Sequence, residues 1–143
     1  HRTGIDIFVS LPQAERPIPF VAYQLQAWAV ALTVGVTAPF LVARELLPGM
    51  ITRGFGRIVH VVSDAAEGND PERVGTAAAE AGLLALTRVA ARACFGRGVT
   101  VNALVAAHGS EPGSVARAVR ATCCDGSRTG CVERIAPGRA VLN

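Results

Sequence analysis

Residues 56–105, GRIVHVVSDAAEGNDPERVGTAAAEAGLLALTRVAARACFGRGVTVNALV, constrain the fold more than any other part of the chain. Residues 57–62 are a short apolar, β-branched run, too brief for a helix and suited to a strand covered on both faces. Residues 75–94 are rich in Ala and Leu and lack Pro, which predicts a helix of about five turns. Residues 99–105 form a second β-branched run, entered through Gly96 and Gly98, which can end a helix in the left-handed conformation. A strand, a long helix and a strand in that order give two parallel strands with the helix laid on one face.

Composition limits what such a unit can do. Half of the 143 residues are apolar and only 17% are charged, so extensive burial is expected, against another chain as well as within this one. The length suits one domain. The net charge of +3 comes from arginines spread along the chain. A nucleic-acid surface needs them gathered on one face, so none is expected. Cys94 lies in the predicted helix, Cys123 and Cys124 are adjacent, Cys131 follows, and His1, His60 and His108 are scattered. None of these spacings is that of a zinc site, so no metal is expected, and the cysteines read as small buried residues in a reducing compartment. The start HRTGIDIF lacks the n-region and cleavage site of a signal peptide, and a cytoplasmic location is expected.

Ahead of this unit, residues 5–9 read as a strand and residues 12–19 as a polar, Pro-containing connection. Residues 27–43 then carry no charge at all. That length is at the lower limit of a membrane span, about 17–25 residues. Gly35, Thr37 and Pro39 near its middle argue against one. A helix covered by its own sheet on one side and by a partner on the other would be equally apolar, and that is the expectation. Pro48, Gly49 and Gly54 are expected to break the helix before the central strand. Residues 64–73 should be an exposed polar connection, 114–123 a closing helix, 129–135 a last strand and 136–143 a tail.

Together these residues resemble the short-chain dehydrogenase/reductase family, of the ketoreductase kind that acts on acyl-carrier or CoA substrates. That family reads roughly GRIVNVSS, YxxSKAGL, a helix ending LTRxLAxE, then GIxVNxVxPG. Here GRIVHVVS, TAAAEAGLLALTR, AARACFGRG and VTVNALVAA stand in the same order and spacing. IDIFVS resembles the DILVNNAG strand, AWAVALTVGVTAPFLVARELLPGM the long VNLTGPF…LLPxM helix, and TGCVERIAPG the closing TGQVLxVDGG strand. The resemblance implies an α/β fold: a truncated, Rossmann-like, doubly wound parallel sheet with helices on its faces. Residues 1–143 would be a single degenerate domain without the half that cradles a dinucleotide. The family's GxxxGxG loop does not occur, and Gly54 and Gly56 lead into a strand, not a helix.

The resemblance also fixes where the catalytic residues should stand. Ser63 takes the position of the family's serine. The tyrosine thirteen residues on falls on Thr76, the lysine four residues further on Glu80, and the helix asparagine on Gly35. In the family the tyrosine is the general acid or base, and the lysine lowers its pKa and binds the nicotinamide ribose. A threonine hydroxyl cannot replace a phenol in proton transfer, and Glu80 puts an anion where a cation belongs. No catalysis and no cofactor are therefore expected of this chain. The segment that covers the substrate in the family is nearly absent between residues 106 and 112, and His108 within it reads as solvated.

Retained are the elements the family uses for subunit contacts. Gly75, Ala78, Ala79, Gly82 and Ala85 recur at helical spacing and would let another helix approach closely. The resemblance assigns this helix and the apolar one before it to a four-helix interface, with Trp28, Phe40, Gly75, Ala79, Gly82 and Leu86 as its residues. The expected function is a catalytically inactive subunit paired with an active short-chain dehydrogenase/reductase, which would hold the NAD(P), or with a second copy of itself. The alternatives are a nicotinamide-independent lyase, cyclase or isomerase built on Ser63, Thr76, Glu80 and His108, and a decayed gene product. With a dead site, Ser63→Ala should change stability little.

Overall fold

β-Branched runs at residues 56–63 and 99–106 pair as the central strands of one parallel sheet, described here from a computed structural model covering residues 4–11, 16–68 and 70–135. The four strands follow sequence order: β1 (Ile7–Ser10), β2 (Gly56–Ser63), β3 (Val99–Ala106) and β4 (Val132–Ile135). Ser10 is in register with His60, Ser63 with Ala106, and Ala106 with Ile135. The C-terminal ends of all four strands therefore lie along one edge, where ligands bind in open α/β sheets. The expected parallel α/β architecture, Rossmann-like with helices on both faces, is the one observed.

One face is covered by α2 (Ala38–Arg53) and α3 (Val74–Ala93). Ala43 and Met50 of α2, Ala91 of α3 and Cys94 just beyond it close on Ile58, Val99 and Val101. The other face takes α4 (Pro112–Cys124), whose Val115, Ala118 and Val119 pack on Val59, Val61, Leu104 and Ile135. Arg57 ties the N-terminal edge together. It stacks over Phe55 at 4.4 Å and donates to the carbonyls of Cys123 and Gly98. Of the four cysteines expected to be buried, Cys94 is, and its burial pushes the thiol pKa up, whereas Cys123 and Cys131 are half-buried and Cys124 is exposed.

Several expected boundaries move. The first strand is Ile7–Ser10 rather than 5–9, and the last begins at Val132 rather than at 129. Thr129 still reaches β3, because its Oγ1 accepts from the Val101 amide at 3.0 Å. The tail at 136–143 and part of the 12–19 connection lie outside the described residues. The 64–73 connection is only partly exposed: Asp64–Glu67 is a 3-10 turn that buries Ala65.

The expected helix break at Pro48 and Gly49 does not occur. Helical structure runs without interruption from Leu25 to Arg53: α1 (Leu25–Leu32), a π-helical turn (Thr33–Thr37) and α2. Pro48 removes one backbone hydrogen bond, but both it and Arg44, four residues earlier, are exposed, so water can serve the freed carbonyl. The Pro48 carbonyl also accepts from Thr52 Oγ1 at 3.0 Å. Gly54 alone ends the helix, at φ 67°. By length and composition this stretch and α3 could each cross a bilayer. In this fold α3 lies against β2 and β3, α2 against β2 and α1 against α3, and α2 carries Arg44 and Glu45.

Candidate functional site

β2 ends at Ser63, and α3 starts eleven residues later and runs back along the sheet. That geometry carries Glu80, on the second turn of α3, to the end of β2. Glu80 Oε2 accepts from the Ser63 amide at 2.9 Å and from Ser63 Oγ at 2.6 Å. The side chain is almost wholly buried, and the loss of water pushes its pKa up. The two hydrogen bonds from Ser63 and the cation of Arg73 oppose that rise. Arg73 Nη2 donates to Ser63 Oγ at 3.3 Å and its Nη1 lies 3.9 Å from Asp64 Oδ1. Asp64 Oδ2 in turn accepts from the His108 amide at 2.8 Å. The result is one chain of charge-assisted contacts from α3 to the loop after β3.

Of the four positions marked by the sequence, Ser63 and Glu80 touch. Thr76 is buried one turn before Glu80 on α3, and with Glu80 and Gly35 it lines a cavity of about 420 Å³. Gly35 sits in the π-helical turn, where a Cβ would lie 2.7 Å from the Cβ of Ala79. The cavity opens between the end of β1 and helices α1 and α3, and most of its wall is apolar: Ile18, Val30, Val34, Val61 and Leu83 among others. His108 is not part of it. It lines a separate polar depression with Asp64, Glu67, Asp70, Arg73 and Arg134, the last of these paired with Glu67.

Three residues here had no signal strong enough to be singled out. Arg73 restores a cation close to where the resemblance implies a lysine, but it comes from before α3. His60 shares a 2.7 Å hydrogen bond with its register neighbour Ser10 and meets Phe8 edge-on, with ring centroids 6.0 Å apart. Burial lowers its pKa to about 4. Tyr23 places its hydroxyl 2.1 Å from where a Cβ of Gly75 would be, so only glycine fits there.

Tyr23 bears on the interface assignment, which needs correction in part. Gly75 and Ala79 do admit another helix closely, but it is this chain's own: Gly75 faces Tyr23, just before α1, and Ala31 of α1, and Ala79 faces Gly35 of the π-helical turn. A Cβ on Gly75 would also fall 2.5 Å from the Ala31 Cβ, and Ala79 is 1% exposed. These two small residues are consumed within the protomer and offer a partner nothing. Gly82 faces Val36 of the same chain at ordinary contact distance, Trp28 and Leu86 are half-buried, and Phe40 is exposed.

Comparison with known proteins agrees with this fold. The sequence model of the enoyl-(acyl carrier protein) reductase family matches residues 1–116. An acetoacetyl-CoA reductase of Allochromatium vinosum is 29% identical over 92% of this chain and 51% of that protein. A 3-oxoacyl-[acyl-carrier-protein] reductase of Vibrio cholerae is 27% identical over 95% of this chain and 53% of that protein. An acetoacetyl-CoA reductase of Rhizobium meliloti is 33% identical over 70% of this chain and 42% of that protein. The chain spans about half the length of the curated relatives it matches. Parallel sheet, motif order and family match converge: this chain belongs to the short-chain dehydrogenase/reductase family, in the group named for enoyl-(acyl carrier protein) reductase.

Proposed function

We propose that this chain is a subunit without ketoreductase activity of its own, which pairs with an active short-chain dehydrogenase/reductase and supports its structure or substrate site. The observation that carries the reading is the engagement of Glu80 with Ser63. In the family's scheme the serine is a catalytic residue and the residue at position 80 is a lysine cation. Here the hydroxyl is committed to a buried carboxylate, and Thr76 offers no phenol. An anion in this place also fits poorly with a nicotinamide nucleotide, which brings its own negative charge. The NAD(P) is assigned to the partner. Phe40, Leu41 and Val42, consecutive on α2 and each 40–44% exposed, supply apolar surface for the pairing.

Copurification from the native source decides this reading. An intact dehydrogenase should accompany the chain and carry all NAD(P)H-dependent activity of the complex. Turnover of NAD(P)H by the isolated chain would overturn it.

One observation favours a second reading. Glu80 is buried, raised in pKa and on the wall of a cavity, which are the properties of a general base in a lyase, cyclase or isomerase. Under that reading Glu80→Gln would abolish activity of the complex while leaving its assembly intact.

A further inference from the structure

Among the described residues Glu80 is bonded on one side only. Both hydrogen bonds it receives among the described residues fall on Oε2. The one side-chain polar atom in the described residues that is both sealed from solvent and unpartnered is Ser110 Oγ. Glu80 Oε1 therefore opens to the cavity whose wall Glu80 forms. We propose that this cavity binds a small apolar ammonium compound, with its cationic head on Glu80 Oε1 and its hydrocarbon body along Val30, Val34 and Leu83.

Size, polarity and charge support this assignment independently. About 420 Å³ lies within the range of small-molecule sites, which are mostly apolar with a few placed polar groups. The wall matches that description, with Ser10, Gln24, Gln26 and Thr76 as neutral polar groups beside Glu80. Among the described residues two charged ones line the cavity, Arg16 and Glu80, and burial decides which of them sets the ligand's sign. Arg16 is exposed, so water and salt screen it. Glu80 is 3% exposed, so its charge acts at low dielectric, and an incoming cation relieves the cost of its burial. A carboxylate ligand would meet the reverse situation. Arg73 does not compete for Oε1, because its guanidinium is directed to Ser63 Oγ and Asp64.

Calorimetric titration of the purified chain with hexylamine, hexanol and hexanoate at neutral pH tests the assignment. Hexylamine should bind about tenfold more tightly than hexanol, the difference expected between a charge-assisted and a neutral hydrogen bond, and hexanoate should be weakest. Glu80→Gln should bring hexylamine down to the level of hexanol. Val30→Trp, at a 54% exposed position on the rim, should weaken hexylamine and hexanol alike without disturbing the core. Equal binding of the three probes, no binding of any at millimolar concentration, or full hexylamine affinity in Val30→Trp would each overturn the proposal. These readouts stand even if Glu80→Gln fails to fold.

Discussion

A Cβ placed on Gly35 would lie 2.7 Å from the Cβ of Ala79, closer than two such carbons pack. Position 35 is where the resemblance places the family's helix asparagine, and this contact leaves no room there for a side chain. The π-helical turn around Gly35 presses the backbone against α3 in the space the side chain would need. Gly35→Ala sets two effects against each other. Alanine gains up to about 1 kcal/mol in helix propensity, and overpacking costs about 1–3 kcal/mol. The clash is with a Cβ on a packed helix, which cannot swing away, so a net loss of about 1 kcal/mol is expected. In an Ala79→Gly background the same change should be neutral or stabilising. Equal effects in both backgrounds, by urea denaturation, would show that the contact carries no energy.

The network around Ser63 revises the expectation that Ser63→Ala is innocuous. That change removes the 2.6 Å bond to Glu80, the acceptor for Arg73 Nη2 and the cap on the Ala65 amide. Leaving a buried carboxylate under-satisfied costs about 1–3 kcal/mol. Chemical denaturation should register a loss of that size. The activity of any complex should fall only as far as stability does; a much larger fall would favour the reused-cleft reading.

Two buried groups give stability opposite slopes with pH. His60 is held neutral, with its pKa lowered from 6.5 to about 4. Between those values the unfolded chain binds the extra proton, so stability is lost as pH falls from 6.5 to 4. The loss is on the order of 3 kcal/mol for a shift of this size. Glu80 has its pKa raised, so just above its ordinary 4.5 the folded chain holds the proton and stability falls as pH rises. Denaturation midpoints measured across pH 4–7 for the wild type, His60→Gln and Glu80→Gln separate the two. His60→Gln should flatten the acid side, and Glu80→Gln should remove a decline toward neutral pH. A His60→Gln profile parallel to the wild type would refute the first assignment.

The sheet was legible because its evidence is local. The runs at 57–62 and 99–105 are β-branched and the segment between them is helix-favouring over its whole length, so pattern alone implied a parallel crossover. Pro48 misled, because propensity rules assume an interior position, whereas here Pro48 and Arg44 are both exposed. The small residues of α3 predicted a close helix correctly but could not say whose helix. Gly75 and Ala79 look the same whether this chain's own helix or a partner lies on them, and only Tyr23 and Ala31 against the first and Gly35 against the second settle it. Ser63 and Glu80 were identified through their family positions, yet their contact depends on how α3 docks against the end of β2. Arg73 and His60 act through residues ten and fifty positions away, and no spacing rule reaches that far.

Assembly is the remaining test, and the structure moves it to a different residue. The natural choice from sequence, Gly82→Arg, would disturb packing on Val36 of the same chain, so a failure to assemble would be ambiguous. Phe40 is 42% exposed, and Leu41 and Val42 beside it are similarly uncovered. A cation at position 40 would leave the protomer folded, because its head can reach water. Within an assembled interface the same cation would be buried without a partner, at a cost of several kcal/mol. Phe40→Arg should therefore keep the wild-type circular dichroism and thermal transition of the protomer while sedimenting as a monomer. A wild-type chain that is itself monomeric at micromolar concentration, or a Phe40→Arg variant that assembles normally, would remove α2 as the pairing surface.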